Sequence, residues 1–406
     1  MKSLSLNNQY DNFLLVLVVS AIFGRYGLFH PSSILSIIFL PQLCGKLKSL
    51  ISGHRPLVMF FVFWLIYAFV SLAWAPNIKT GIVEMLNLFF HILLFMEIVV
   101  FSMNANRPVQ TLTNAWLCAF LLTSVIAIWE LSTGHHLLSA REEDLYYTNA
   151  DGDFVDKDFA TVTFYNRNTY CYYLCLAFPF ILYYLSQCKK VMTKFASTII
   201  MFLALYIVSK NGSRGAFLTM LIMVSVFLYY RIRVSSTRNK FFIVIAIILV
   251  VFLILVFADV LLGTILIRLS QKGLLEDNAR LVLWYSSWQS FVESFGLGVG
   301  VGGMLPALEH SSYNTIYIFY SHNMLLEMLL VYGVIISLGF IGYLVRLYKR
   351  AKRIDNNYLK AVIMASLFSF PFYSVINSEN LNPVFIWIFF STLYVFSLRG
   401  AVKTIK

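Results

Sequence analysis

Ser321-His322-Asn323 stands just before an apolar run that contains Gly333. Arg280 lies upstream of it, and a glycine-rich stretch, Gly296 to Gly303, falls between the two. A second arginine, Arg214, sits in the short polar sequence Asn211-Gly212-Ser213-Arg214-Gly215-Ala216 between two apolar runs. These residue types suit a particular chemistry. An imidazole, with an ordinary pKa of about 6.5, can take a hydroxyl proton near neutral pH. Guanidinium forks match phosphate oxygens, and two of them facing one pocket would clamp a diphosphate. Each residue also has a plainer reading. Arg214 and Arg280 can be interfacial arginines with their stems along apolar surface, and His322 can mark a membrane boundary. The case for chemistry rests on finding them together in so apolar a chain.

The elements that must position them are membrane helices. The chain has 406 residues, 59% hydrophobic and 12% charged, with a mean hydropathy of +0.76. Soluble domains carry about 25% charged residues, so the composition is that of an integral membrane protein. The fold class expected is all-α, with about twelve spans of roughly 20 residues each. They fall near 12–29, 33–45, 56–74, 81–103, 110–131, 169–187, 195–209, 215–230, 241–263, 322–346, 358–378 and 382–398. The second, seventh and eighth are short enough to be tilted, broken or re-entrant. No internal repeat and no soluble domain is apparent, so residues 1–406 read as one transmembrane domain.

Orientation comes from the basic loops. Placing the N-terminus in the cytoplasm puts Lys46, Lys48 and Arg55, then Lys189, Lys190 and Lys194, then Arg231 to Lys240, then Arg346 to Arg353, on the inner side, as the positive-inside bias requires. Both termini are then cytoplasmic. The net charge of +12 lies in these loops, which argues against nucleic-acid binding. The first apolar run, followed by Arg25 and another span, reads as a retained anchor. The five cysteines lie in or beside apolar runs, which disfavours a disulfide framework or a zinc site.

Two large extracytoplasmic loops result. One, 132–168, is acidic. The other, 264–321, contains an amphipathic helix at 277–294, with Asp277 or Asn278 as cap and Gly296 as stop. Arg280, Trp284, Trp288 and Phe291 recur on it at helical spacing, which suggests a helix lying in the interface plane. Gly298-Val299-Gly300-Val301-Gly302-Gly303 fits a dinucleotide-binding pattern, but it follows no strand and opens no βαβ unit, so a tight turn is expected instead. Asp151-Gly152-Asp153 reads as part of a solvated acidic loop capable of weak divalent-ion binding. Asn166-Arg167-Asn168 offers amides for sugar hydroxyls, with helix capping as the simpler account of Asn168. Glu327, five residues after His322, could orient the histidine or line a cavity. Glu84, His91 and Glu97 share one span. Glu84 and His91, seven apart, face the same way and could relay protons, which keeps a secondary transporter in view.

The ordered set of motifs resembles the O-antigen ligase and Wzy-type polysaccharide polymerase superfamily. The residues that carry the resemblance are Ser213-Arg214-Gly215-Ala216, Asp277-Asn278-Ala279-Arg280 running to Phe295-Gly296-Leu297-Gly298-Val299-Gly300, and His322-Asn323 with Gly333. Phe164, Asn166 and Asn168 look like a weaker upstream element. The resemblance spans about 205–345. It implies a metal-independent, cofactor-free glycosyltransferase of the bacterial cytoplasmic membrane that acts on its outer face. The donor would be an oligosaccharide on undecaprenyl diphosphate. Arg214 and Arg280 would hold the diphosphate, and His322 would serve as base. Ser213, Asn323, Asn166, Asn168 and Glu327 would line the substrate site. A flippase and a chain-length regulator would be the protein partners, beside membrane lipid. The run Leu274 to Arg280 looks more like Gram-positive wall-polysaccharide polymerases than like ligases that use a lipid A core. Polymerase is therefore the first expectation and ligase the second.

Overall fold

The computed structural model describes residues 2–23, 30–137, 146–148, 154–156, 159–234, 278–314 and 318–399. Its helices are α1 (Lys2–Ser20), α2 (Pro31–Cys44), α3 (Leu47–Ser71), α4 (Ile78–Asn104), α5 (Pro108–Thr133), α6 (Arg167–Gln187), α7 (Val191–Lys210), α8 (Arg214–Val234), α9 (Asn278–Glu293), α10 (Met304–Glu309), α11 (Met324–Lys352), α12 (Asn357–Phe368), α13 (Phe370–Tyr373) and α14 (Val384–Arg399). Seven of them, α3 to α8 and α11, are long and apolar enough to cross a membrane, and α2, α12 and α14 are shorter apolar helices. The chain is a polytopic membrane protein built of helices. A short antiparallel hairpin, β1 (Tyr146–Thr148) with β2 (Phe154–Asp156), pairs Tyr147 with Val155 in the 132–168 segment.

Ten of the twelve expected spans coincide with helices, and the first, 12–29, overlaps α1 over 12–20, its residues 24–29 lying outside the described residues. The ninth, 241–263, lies outside the described residues. The third span starts earlier than expected, at Leu47, so that Lys48 and Arg55 of the expected inner loop lie in α3, and three other lengths differ as well. The seventh and eighth spans are full-length, as α7 and α8. The eleventh, expected at 358–378, breaks after Phe368 into the single turn α13, where Pro371 lacks an N–H to continue the ladder.

The chain divides into two compact units. The first comprises 1–112, 275–347 and 377–395. In it α4 is the central helix, packed by α1, α2 and α3. Residues 91 to 102 of α4 are buried, among them His91 and Glu97. Aromatic rings pack α3 against its neighbours: Trp64 packs on Trp387 of α14 at 5.4 Å and Phe61 on Phe95 of α4 at 4.9 Å. The second unit comprises 113–274, 348–376 and the C-terminal residues from 396. Its centre is α6, buried from Tyr170 to Tyr183 and packed by α7, α8 and α12.

Candidate active site

Helix α11 carries the histidine at its head. Asn323 caps it: the Asn323 Oδ1 accepts from the backbone N–H of Leu325 at 3.0 Å and of Leu326 at 3.3 Å. The Ser321 Oγ donates to the Asn323 carbonyl at 3.1 Å. Between these two residues His322 adopts φ 48°, the left-handed conformation that histidine tolerates better than most side chains. The motif is therefore a capped turn that projects an imidazole from the end of a helix. Asn323, expected to bind substrate, has its side-chain oxygen committed to the cap. His322 lies just outside the span of α11. Its Nδ1 is buried with no hydrogen-bond partner among the described residues. Burial, and secondarily the Arg280 guanidinium within electrostatic reach, push its pKa down to about 4. The imidazole is thus neutral at pH 7, with a lone pair to offer.

Arg280 lies near the start of α9, whose serine side is buried. Leu283, Ser286, Ser287 and Ser290 are buried, and the Ser287 Oγ donates to the Leu283 carbonyl at 2.7 Å. The outward stripe is apolar: Leu281, Tyr285, Trp288 and Val292 are each about half exposed. This stripe is displaced from the expected one, since Trp284 and Phe291 turn partly inward. Serines inside and aromatics outside is the reverse of a soluble surface helix, and fits contact with an apolar medium. The left-handed turn that ends the helix begins one residue before the expected stop: Phe295 takes the left-handed conformation at φ 55°, and Gly296 follows at φ 76°. Of the two expected caps, Asp277 lies outside the described residues and Asn278 is the first helical residue.

The glycine run is a backbone clamp. Helix α11 is interrupted at Gly333, where φ 71° and ψ −175° fall in a region open essentially to glycine alone. The loop after α9 fills the interruption. The Val299 N–H donates to the Leu330 carbonyl at 2.7 Å, the Gly300 N–H to the Val331 carbonyl at 3.1 Å, and the Val334 N–H to the Gly296 carbonyl at 2.9 Å. These bonds satisfy polar groups that a broken membrane helix would otherwise leave unpaired. Close approach makes this possible. A Cβ on Gly298 would stand 2.6 Å from the Gly333 nitrogen and 2.7 Å from the Val331 carbonyl oxygen. The same loop is tied to α3 and α4. The Trp74 Nε1 donates to the Gly298 carbonyl at 3.1 Å, the Tyr67 hydroxyl donates to the Leu297 carbonyl, and the Glu84 Oε2 accepts the Gly302 N–H at 2.7 Å. Gly298 and Gly333, widely separated in sequence, thus form one joint between the loop after α9 and the interior of α11.

Glu327 lines a cavity, one of its two expected roles. Its oxygens accept the Asn380 N–H at 2.7 Å and the Leu381 N–H at 3.1 Å, so it ties down the 377–383 turn and does not orient His322.

The second unit holds the other candidates. Arg214 is the first residue of α8 and is half-buried. The turn before it is fixed by Asn211, whose Oδ1 accepts the Ala160 N–H at 2.7 Å and whose Nδ2 donates to the Ala160 carbonyl at 3.0 Å. Ser213 is buried, and its carbonyl accepts the Phe217 N–H at 3.0 Å to open the helix. The cap of α6 is Asn166, not Asn168: the Asn166 Oδ1 accepts the Asn168 N–H at 2.7 Å. The Phe164 ring stacks on Tyr173 at 4.9 Å. Glu130, which the motif reading passed over, accepts the N–H groups of Thr161 at 2.7 Å and Val162 at 2.8 Å and so holds the segment leading into α6. A lone glutamate at the end of an apolar run was the only signal for it. Asp151-Gly152-Asp153 lies outside the described residues.

The structural class is thus a multi-pass helical membrane protein with a histidine turn and an arginine helix joined by a glycine clamp. Comparison with known proteins narrows it. Residues 199–344 match the family model described as O-Antigen ligase, a stretch that contains Arg214, Arg280, His322 and Gly333. The teichuronic acid biosynthesis protein TuaE of Bacillus subtilis (strain 168) is 26% identical over 349 residues, covering 82% of this chain and 70% of its own. Both findings support the resemblance to the O-antigen ligase and polymerase superfamily, and with it an enzyme of polysaccharide assembly.

Proposed function

We propose that this chain is a polysaccharide polymerase that joins undecaprenyl-diphosphate-linked oligosaccharide repeats on the outer face of the cytoplasmic membrane, with both termini in the cytoplasm. The observation that carries the reading is the His322 turn: a half-buried imidazole with an unpartnered Nδ1 among the described residues, within electrostatic reach of the Arg280 guanidinium. In the proposed reaction a hydroxyl of one repeat gives its proton to His322, and its oxygen bonds to the anomeric carbon of the other glycan. The bond from that carbon to the diphosphate breaks, and undecaprenyl diphosphate leaves with the electron pair. Arg280 stabilises the charge that develops on the leaving group. A diphosphate near Arg280 offsets the cation that depresses the imidazole, so the base strengthens when substrate is bound. Arg214, in the second unit, is assigned a phosphate by the resemblance. A cation at the first residue of a helix opposes the helix dipole, whereas an anion there is favoured, so a bound phosphate would reconcile the two. No step requires a metal ion.

A ligase reading is favoured by the description of the matched family. It uses the same bond-making with a final acceptor in place of the next repeat. The teichuronic acid biosynthesis role of the TuaE relative supports the polymerase.

Arg280→Lys tests the guanidinium assignment. Lysine keeps the charge but loses the planar fork. Polymer formation by the purified variant is expected to fall at least about tenfold, the equivalent of about 1.4 kcal/mol of transition-state stabilisation. A wild-type rate would remove the bidentate diphosphate contact from the scheme.

A further inference from the structure

The first unit contains a cavity of about 340 Å³ that the histidine scheme does not use. That volume is within the range of small-ligand sites, about 300–1,000 Å³. Asn77, Thr80 and Asn382 are exposed at its rim, while Leu88, His91 and Trp387 are buried at its floor. Glu84, Asn87, Glu327 and Glu379 stand along its walls. Several of these groups are fixed by the backbone. Glu84 is held by the Gly302 N–H, Glu327 by the 380–381 turn, and the Trp387 Nε1 donates to the Leu381 carbonyl at 2.8 Å. His91 stacks on Trp387 at 5.5 Å. The cavity adjoins the histidine segment, because Tyr320 and Glu327, which flank His322 in sequence, both line it.

We infer that this cavity is a saccharide subsite that takes a neutral or amino-sugar ring and excludes a uronic acid; the inference rests on the glycan-transfer reading above. Carboxylates and primary amides are the groups that a ring of hydroxyls can satisfy. Glu84 and Glu379 accept from hydroxyls, and Asn87 and Asn382 both donate and accept. An aromatic floor suits the apolar faces of a pyranose. The charge decides between sugars. The lining contains three glutamates and, among the described residues, no lysine or arginine. A carboxylated sugar would bring a negative charge into that enclosure with no lysine or arginine in the lining to pair it, which works as rejection. A metal ion is the poorer occupant, since no three His, Cys, Asp or Glu side chains among the described residues are grouped to ligate one.

The test is ligand-observed NMR on the full chain in lipid nanodiscs, with the methyl glycosides of N-acetylglucosamine, glucosamine and glucuronic acid as probes. Saturation transfer is expected to the first two, at least about fivefold stronger than to the glucuronide. It is expected to fall by at least half in Asn87→Leu. Should that variant fail to assemble, Glu379→Gln is read instead and is expected to narrow the gap between glucosamine and the glucuronide. Equal transfer to all three glycosides, or undiminished transfer in a folded Asn87→Leu, overturns the inference. Because binding is read without turnover, loss of glycan transfer by the wild type with these signals intact would sink the transfer reading and leave the subsite standing.

Discussion

Replacing His322 with alanine is expected to abolish long glycan chains while leaving the protein in the membrane at its normal level. The side chain contributes no structural bond that alanine would break: its Nδ1 has no hydrogen-bond partner among the described residues, and the cap of α11 is made by Asn323. Loss of a positioned general base costs about 10²- to 10⁴-fold, enough to empty a glycan ladder of its upper rungs. The wild type carries a second signature of the same group. Its imidazole has a pKa lowered to about 4, so it is neutral above that value and gains a proton only as pH falls through it. The acid limb of kcat/KM, which reports the free enzyme, is therefore expected near pH 4 and not near 6.5. A normal ladder from His322→Ala, with the protein present, would remove the catalytic assignment.

The second large effect belongs to the glycine joint. Alanine at Gly333 would press its Cβ against the Leu297 carbonyl, and alanine at Gly298 would meet backbone of α11 at 2.6–2.7 Å. Neither neighbour is a flexible side-chain end that can move away. Positive φ adds about 1–2 kcal/mol of strain at Gly298 before any clash is counted. Both substitutions are expected to lower the thermal-unfolding midpoint of the purified protein markedly and to eliminate activity, because the joint ties the loop after α9 to α11, the two helices that carry Arg280 and follow His322. Gly342→Ala is the matched control. A Cβ there meets nothing within 4 Å, and alanine is the better helix former by about 0.8–1 kcal/mol. Equal behaviour of the three variants would show that the clamp does not hold the site together.

The sequence was most readable where a single physical signal dominated. Apolar run length located eleven of the helices that the structure describes, and the glycine run was correctly taken as a turn because no strand preceded it. The break in α11 was not predictable from hydropathy, since Gly333 sits in an otherwise continuous apolar run and its meaning depends on Gly298, a distant partner. The same limit hid the role of Glu327. A glutamate inside a span reads as functional by default. Here backbone N–H groups of Asn380 and Leu381, more than fifty residues away in sequence, occupy its oxygens. The cavity was half visible: Glu84 and His91 do share a face of α4, but Glu379 and Asn382 come from a turn that no spacing rule connects to them. Asn166 and Asn168, both plausible caps by type, were separable only by the helix start at Arg167.

The central claim, that this chain lengthens a lipid-linked glycan, is tested most directly by incubating the purified protein in nanodiscs with radiolabelled undecaprenyl-diphosphate-linked repeats alone. The predicted result is a ladder of longer glycans still attached to the carrier lipid, with undecaprenyl diphosphate released in step. Single repeats that remain single, while the same preparation transfers them to a separate final acceptor, would contradict the polymerase and establish the ligase.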